Sequence, residues 1–250
     1  MGESILHFSF YILLFSLNKI PFPGLVWIFY TLLYNLSTMK AYSGELDLRE
    51  ERLNTLTHIV GILFGLVSIP ILILNACNTC GFAEILGICV YSLGFLMVFT
   101  SSTLFHWQKE GRTRNLWKKV DHISIYFMIA GTYTPFILIY VNNSFGTNLL
   151  IVLWALTLVG TIFKIFFTGK FEVVSTIIYL LMGWLLVTGG NAFFENMPSQ
   201  VMWLIIAGGI LYSIGVVFYL WRCFTYHHAV WHLFVLSAAI CHYSAVLMAV

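Results

Sequence analysis

Charged residues are scarce in this sequence. Only 9% of its 250 residues are Asp, Glu, Lys or Arg, whereas an ordinary soluble domain has roughly 25%. Hydrophobic residues make up 60% of the chain, and no soluble fold of this size has enough interior to bury them. The composition therefore excludes a soluble enzyme, a nucleic-acid-binding protein and a disordered protein. It predicts an all-α integral membrane protein that crosses the bilayer several times.

Cysteine is also scarce, with five residues in the chain. Cys77 and Cys80 form a C-x-x-C pair in a predicted loop. Such a pair could bind a metal or form a disulfide, but a single C-x-x-C is weak support for either. We expect two ordinary loop thiols.

The hydrophobic residues are concentrated in long stretches between the few charges. A helix needs roughly 20 residues to cross a hydrocarbon core of ~30 Å. Seven stretches meet this length, at residues 55–76, 84–106, 121–141, 147–167, 173–194, 200–221 and 228–250. Short loops join them, so we expect one seven-transmembrane helix bundle that forms a single domain over residues 41–250.

The basic residues predict the orientation of this bundle. Eleven of the twelve lie in alternate connections, namely Lys40, Arg49, Arg52, Lys109, Arg112, Arg114, Lys118, Lys119, Lys164, Lys170 and Arg222. The other connections of the bundle and its C-terminal end carry none. Because Lys and Arg accumulate in cytoplasmic loops, we expect the N-terminal side of the bundle inside and the C-terminus outside.

Residues 1–40 form a separate hydrophobic extension. Its two apolar runs, Ile5–Leu17 and Leu25–Met39, are each short for a full span and are separated by two prolines. The start of the chain is not basic, as a signal peptide would be, and Leu6 stands where a myristoylation motif needs Ser or Thr. We expect an interfacial helical hairpin.

Histidines collect at one membrane face of the predicted bundle. Six of the eight lie at the helix ends that meet at this face, on four different helices. They are His58, His106, His122, His227, His228 and His232. Ionisable groups at membrane depth are costly and usually face the bundle interior, which makes them candidates for function.

The spacing of these residues suggests a metal site. His228 and His232 are four residues apart, so one helix face presents both imidazoles to one ion. With His106 they offer three nitrogens, which suits Zn²⁺ and leaves a fourth position open for water. Asp121 enters at the same depth and could deprotonate that water as a general base. Ser102, four residues before His106, lies on the same helix face.

Two other interpretations remain open at this point. Membrane histidines are often hydrogen-bonded packing residues, and histidines on facing helices can also bind haem. His242 lies ten residues beyond His232, or ~15 Å along a helix, so we interpret it as structural. His122 lies ~100° around the helix from Asp121, and we interpret it in the same way.

Four blocks of residues resemble the hemolysin III family, within the progestin and adipoQ receptor superfamily. They are Glu51–His58, Ser102–His106, Asp121–Pro135 and His228–Val235. Tyr179–Trp184 also resembles the fifth span of that family. The blocks fall in the family's order, over roughly residues 45–250. Residues 1–40 have no counterpart in a typical bacterial member.

The resemblance implies a zinc ion near the cytoplasmic face, bound by His106, His228 and His232. It also implies that Asp121 contacts the metal through water and that Ser102 lies nearby. In the adiponectin receptors this site is linked to ceramide hydrolysis, and bacterial members are linked to haemolysis and lipid homeostasis. The chain is similar to the bacterial members, so the resemblance implies an inner-membrane location.

Three functions follow as expectations. The first is a zinc-dependent intramembrane hydrolase of a lipid amide or ester, with a membrane lipid as substrate or ligand. The second is a receptor-like regulator of membrane homeostasis with structural zinc. The third is a pore-forming hemolysin, which the nearly uniform apolar character of the fourth to sixth spans disfavours. The complete Ser102 and Asp121 pair favours the hydrolase.

Overall fold

The computed structural model describes residues 43–221 and 224–250, and these residues are helical apart from short connections. Seven helices are long and apolar enough to cross a membrane. They are α1 (Ser43–Thr79), α2 (Phe82–Trp107), α3 (Arg112–Tyr140), α4 (Ser144–Phe167), α5 (Glu172–Gly183, continued by the 3-10 turn Leu185–Gly189), α6 (Ser199–Leu220) and α7 (His227–Ala249). The described part of the chain is therefore all-α, and its seven apolar helices indicate an integral membrane protein. The hairpin expected over residues 1–40 lies outside the described residues.

Helices α3 and α7 form the centre of the bundle. In each of them 61% of the 18-residue apolar stretch is buried inside the bundle, against 22% in α5. Packing is most extensive between α2 and α3 and between α6 and α7, while α5 makes few contacts with its neighbours. The outward faces carry exposed leucines and tryptophans such as Leu93, Leu158 and Trp203, which suits a surface covered by lipid.

Two glycines let α2 and α3 approach closely. A Cβ atom at Gly94 of α2 would lie 3.0 Å from the Phe127 carbonyl oxygen of α3. A Cβ atom at Gly131 of α3 would lie 3.3 Å from the Val90 carbonyl oxygen of α2. Small residues at such crossings are typical of membrane helices, because close backbone packing replaces the hydrophobic driving force there. This crossing sets the position of α2 relative to α3, and both helices carry candidate site residues.

The fifth span is interrupted near its middle. Regular α-helix ends at Gly183, and Tyr133 of α3 stabilises the break: its hydroxyl donates to the Gly183 carbonyl at 2.7 Å and accepts from the Leu186 amide at 3.0 Å. The Trp184 indole donates to the Ser213 hydroxyl of α6 at 3.0 Å. These bonds satisfy backbone groups that a helix break would otherwise leave unpaired inside the bundle.

The predicted spans agree with the structure in number and order, but two helices are longer than predicted. Helix α1 is already helical well before residue 55, and α3 begins at Arg112 rather than at 121. The extra turns contain charged residues, so hydropathy alone does not mark them. As a result, Glu51 and Arg114 lie on helices that reach the histidine-bearing end of the bundle.

Candidate metal centre

Three histidine side chains converge at one end of the bundle, which we call the histidine end. The ligand nitrogens of His106, His228 and His232 lie within 4.8 Å of one another. Nε2 of His106 and Nε2 of His232 are 3.1 Å apart. Two imidazole nitrogens at this distance need a proton or a cation between them, because their lone pairs would otherwise repel. The structure thus brings together the three residues that the sequence indicated, and their role as metal ligands stays a prediction.

Two helices position these imidazoles. His106 lies in the last turn of α2. His228 and His232 lie one helical turn apart near the start of α7. Tyr226 precedes α7 in the left-handed conformation, with φ of 66°, and its side chain is fully buried. This buried residue fixes where α7 begins. His106 and His232 are buried, whereas His228 is partly exposed.

A carboxylate holds the outer nitrogen of His106. Nδ1 of His106 and Oε2 of Glu51 are 2.6 Å apart, so Nδ1 can donate to the carboxylate while Nε2 faces the cluster. The other carboxylate oxygen accepts from Arg114 Nη2 at 2.5 Å. Arg114 also donates to the Gln108 carbonyl at 2.7 Å and lies over the Phe105 ring. A carboxylate paired with a ligand histidine is the usual support of metal-binding imidazoles.

A fourth histidine supports His232 in a similar way. Nε2 of His58 lies 2.7 Å from Nδ1 of His232, and the His58 side chain is only 2% exposed. The sequence predicts that His58 lies at this end of the bundle but indicates no individual role for Glu51 or His58. Their spacing of seven residues, two helical turns on one face of α1, is the sequence signal that could have identified them.

Asp121 and Ser102 lie beside the cluster, as the sequence indicated. The Asp121 carboxylate interacts electrostatically with His106 and lies within hydrogen-bonding reach of the Ser102 hydroxyl. Within the described chain the Ser102 hydroxyl, 1% exposed, forms no hydrogen bond of good geometry. Buried polar groups whose contact is poorly aligned are commonly bridged by a water molecule. The pair can therefore hold a water next to the three imidazoles.

A large cavity connects this cluster with the interior of the bundle. Its volume is about 1230 Å³, above the roughly 300–1,000 Å³ of ordinary small-molecule sites. At the histidine end it is lined by Glu51, His106 and Asp121, and deep in the bundle it reaches Trp184 and His242. Much of the wall between is apolar. The cavity therefore has the size and lining to accept a hydrocarbon chain.

The other described histidines lie outside the three-residue cluster. His242 is buried, and its Nε2 lies 3.2 Å from the Ile205 carbonyl oxygen. Nδ1 of His227 lies 3.2 Å from the Phe218 carbonyl oxygen. His122 lines the cavity, and its buried Nδ1 has no partner within the described residues. Cys77 and Cys80 are free thiols.

The family of this chain follows from comparison with known proteins. The pattern that defines the "Haemolysin-III related" family matches residues 46–243, which contain every residue of the centre described above. The chain belongs to this family. The resemblance inferred from the four sequence blocks is thereby confirmed.

Bacterial and human relatives of this haemolysin-III-related protein are similar over most of its length. The Hemolysin-3 homolog of Bacillus subtilis (strain 168) is 37% identical over 200 residues, which cover 80% of this chain and 94% of the relative. Hemolysin-3 of Bacillus cereus is 38% identical over 76% of this chain and 87% of its own. The human monocyte to macrophage differentiation factor is 32% identical over 63% of this chain and 67% of its own, a likeness that supports the wider adipoQ receptor-like superfamily. No solved structure matches the chain.

Proposed function

We propose that the histidine end binds Zn²⁺ through His106, His228 and His232, and that the protein hydrolyses an amide or ester bond of a membrane lipid. The observation that carries this proposal is the convergence of three imidazole nitrogens at the wall of a large, partly apolar cavity. Asp121 and Ser102 beside them add a base and a hydroxyl.

The donor set fits zinc. Tetrahedral Zn²⁺ with bonds of about 2.0–2.1 Å keeps its nitrogen ligands about 3.3 Å apart, close to the 3.1 Å between Nε2 of His106 and Nε2 of His232. A haem would need a slot for the porphyrin between two facing imidazoles, and this distance leaves none. Three protein ligands leave one coordination position open, as catalytic zinc requires.

Each supporting residue has a task in this proposal. When bound, Zn²⁺ supplies Lewis-acid chemistry that polarises a carbonyl and acidifies water. Asp121 accepts a proton from the water as the water oxygen bonds to the carbonyl carbon of the lipid. Asp121 then returns the proton to the leaving amine or alcohol when the C–N or C–O bond breaks. Ser102 orients the water. Glu51 and His58 hold His106 and His232 so that their Nε2 atoms face each other.

The first test compares Asp121→Ala with Ser102→Ala in purified protein supplied with membrane lipid extract. Asp121→Ala removes a base and not a ligand, so zinc should be retained while lipid turnover falls by roughly 10²–10⁴-fold. Ser102→Ala removes one neutral hydrogen bond, about 1 kcal/mol, and should cost roughly fivefold. Lipid products are measured by mass spectrometry, and zinc by elemental analysis of the same samples.

The outcome separates the three functions. Loss of zinc in Asp121→Ala would make this residue a direct ligand and contradict its role as a base. Zinc without any lipid turnover in the unchanged protein would favour a regulator with structural zinc. Release of dye from lipid vesicles, independent of Asp121, would instead favour membrane lysis, the activity that the names of the two Bacillus relatives suggest.

A further inference from the structure

A second group of polar side chains lines the same cavity where α3, α4 and α5 meet. Lys164 of α4 is 1% exposed and is among the largest fully buried side chains. Lys118 of α3 lies across from it, with a third of its side chain exposed, and His122 follows one turn later on α3. All three line the cavity. We call Lys118, His122 and Lys164 the lysine pocket.

The positive charge of this pocket is only partly balanced. Oε1 of Glu172, at the start of α5, lies 3.4 Å from Nζ of Lys118, longer than the about 2.7–2.9 Å of a strong charge-assisted hydrogen bond. The same carboxylate attracts Lys164, and the two lysines repel each other. Asp121 also attracts Lys118, but from the next turn of α3, where it faces Ser102 and His106. A buried ammonium group that shares one carboxylate with a second, partly exposed ammonium group favours the arrival of another negative charge.

An imidazole and a helix N-terminus lie beside the two ammonium groups. His122 is under the electrostatic influence of both lysines, and its buried Nδ1 has no partner within the described chain. Helix α5 begins at Glu172, which lines the same cavity, so the positive end of the α5 dipole lies at this pocket. Positive charge from two lysine-bearing helices and from the N-terminus of a third thus meets at one cavity, an arrangement that suits a phosphate.

We propose that the lysine pocket binds the phosphate of an anionic membrane lipid, whose hydrocarbon chains occupy the apolar part of the cavity. Lysine binds phosphate as a point charge, and the pocket opens into a volume large enough for acyl chains. Lys118 precedes Asp121 by three residues, less than one turn of α3. The phosphate therefore lies next to the metal centre. The proposal concerns binding and does not require that the lipid is cleaved.

A structural role for Lys164 makes a different prediction. Lys164 lies in the last turn of α4, where a cation is favourable against the helix dipole, and Glu172 could simply neutralise it. If the lysine pocket is only structural, Glu172→Gln disrupts its ion pairs and weakens the lipid binding that depends on them. If the pocket binds an anion, Glu172 competes with the lipid phosphate, and Glu172→Gln strengthens binding of that lipid.

The test is native mass spectrometry of the full chain in detergent, titrated with phosphatidylglycerol or with phosphatidylcholine of the same acyl chains. Lys164→Gln and Lys118→Gln should each weaken phosphatidylglycerol binding about tenfold, the effect of losing one charge-assisted hydrogen bond. Binding of phosphatidylcholine should change much less. Lys170→Gln is the matched control, because Lys170 is exposed and lies in the loop between α4 and α5. Lys164→Arg keeps the charge and should retain the preference.

Inorganic phosphate tests whether the anion in the pocket is a lipid headgroup or free phosphate. If it displaces phosphatidylglycerol at millimolar concentration, the pocket recognises phosphate and the proposal stands. If it binds at the lysines while phosphatidylglycerol shows no preference over phosphatidylcholine, the lipid assignment is wrong. The same titration on His232→Ala should preserve the preference, which keeps this result separate from the fate of the metal proposal.

Two results would overturn the proposal outright. One is unchanged phosphatidylglycerol binding in both Lys→Gln variants. The other is a Glu172→Gln variant that loses phosphatidylglycerol as fully as Lys164→Gln does. Should Lys164→Gln fail to fold, Lys118→Gln, Lys164→Arg and Glu172→Gln still decide the matter.

Discussion

At the scale of single residues, the centre depends on pairs in which one side chain orients another. His106 is held by Glu51, which is held in turn by Arg114, and His232 is held by His58. Such partners fix the ring orientation and the tautomer of a ligand histidine. Two of the three candidate ligands, His106 and His232, are thus pre-organised by α1, a helix that contributes no ligand itself.

This arrangement predicts the effect of Glu51→Gln. The amide keeps the shape of the side chain but loses the charge that faces Nδ1 of His106, so zinc affinity should fall about 10–100-fold. Competition with a chromogenic chelator measures this affinity. Glu110→Gln is the control, because Glu110 is exposed at the cavity mouth, and it should bind zinc as the unchanged protein does. Equal zinc affinities of Glu51→Gln and Glu110→Gln would show that Glu51 does not support the metal centre.

Much of the candidate site could be predicted from the sequence at this scale. The i, i+4 pair of His228 and His232 needs only a helix to place both rings together, and the third histidine follows from the topology. The contact between Glu51 and His106 could not be predicted in this way, because it depends on how α1 packs against α2. Glu51 also precedes the first span that hydropathy predicts, so hydropathy alone does not place its side chain in the bundle.

At the scale of helices, the crossing of α2 and α3 sets the distance between His106 and Asp121. Gly94→Val should separate the two helices, since even a Cβ atom there lies 3.0 Å from the Phe127 carbonyl oxygen. We expect a loss of about 1–3 kcal/mol in stability, seen as a lower unfolding temperature in detergent. Gly183→Val is the control, because no atom lies within 4 Å of a Cβ at that position. Equal unfolding temperatures would contradict the close approach.

The seven helices were predictable because a bilayer permits few other structures. Every backbone group must be satisfied within the span, so a long apolar stretch can be read directly as a helix. The additional turns of α1 and α3 were missed because their residues are polar. The break of α5 at Gly183 was missed because it depends on the Tyr133 hydroxyl of another helix, which local sequence cannot show.

At the scale of the whole molecule, the basic residues predict which side of the membrane the histidine end faces. We expect it in the cytoplasm, because eleven of the twelve Lys and Arg residues fall in sequence between or beside the predicted spans on that side. Alkaline phosphatase, which is active only outside the inner membrane, should be active when fused after Val250. The same enzyme inserted at Gly169, between α4 and α5, should be inactive. The opposite pattern would invert the orientation.

The most direct test of the proposed metal centre is the zinc content of the purified protein and of four histidine variants. Elemental analysis should find about one zinc per chain in the unchanged protein. His106→Ala, His228→Ala and His232→Ala should each lose it, because each removes one of three protein ligands. His227→Ala should retain it, since His227 is adjacent in sequence but lies outside the cluster. Zinc content that is the same in all four variants would contradict the metal centre on which the proposed function rests.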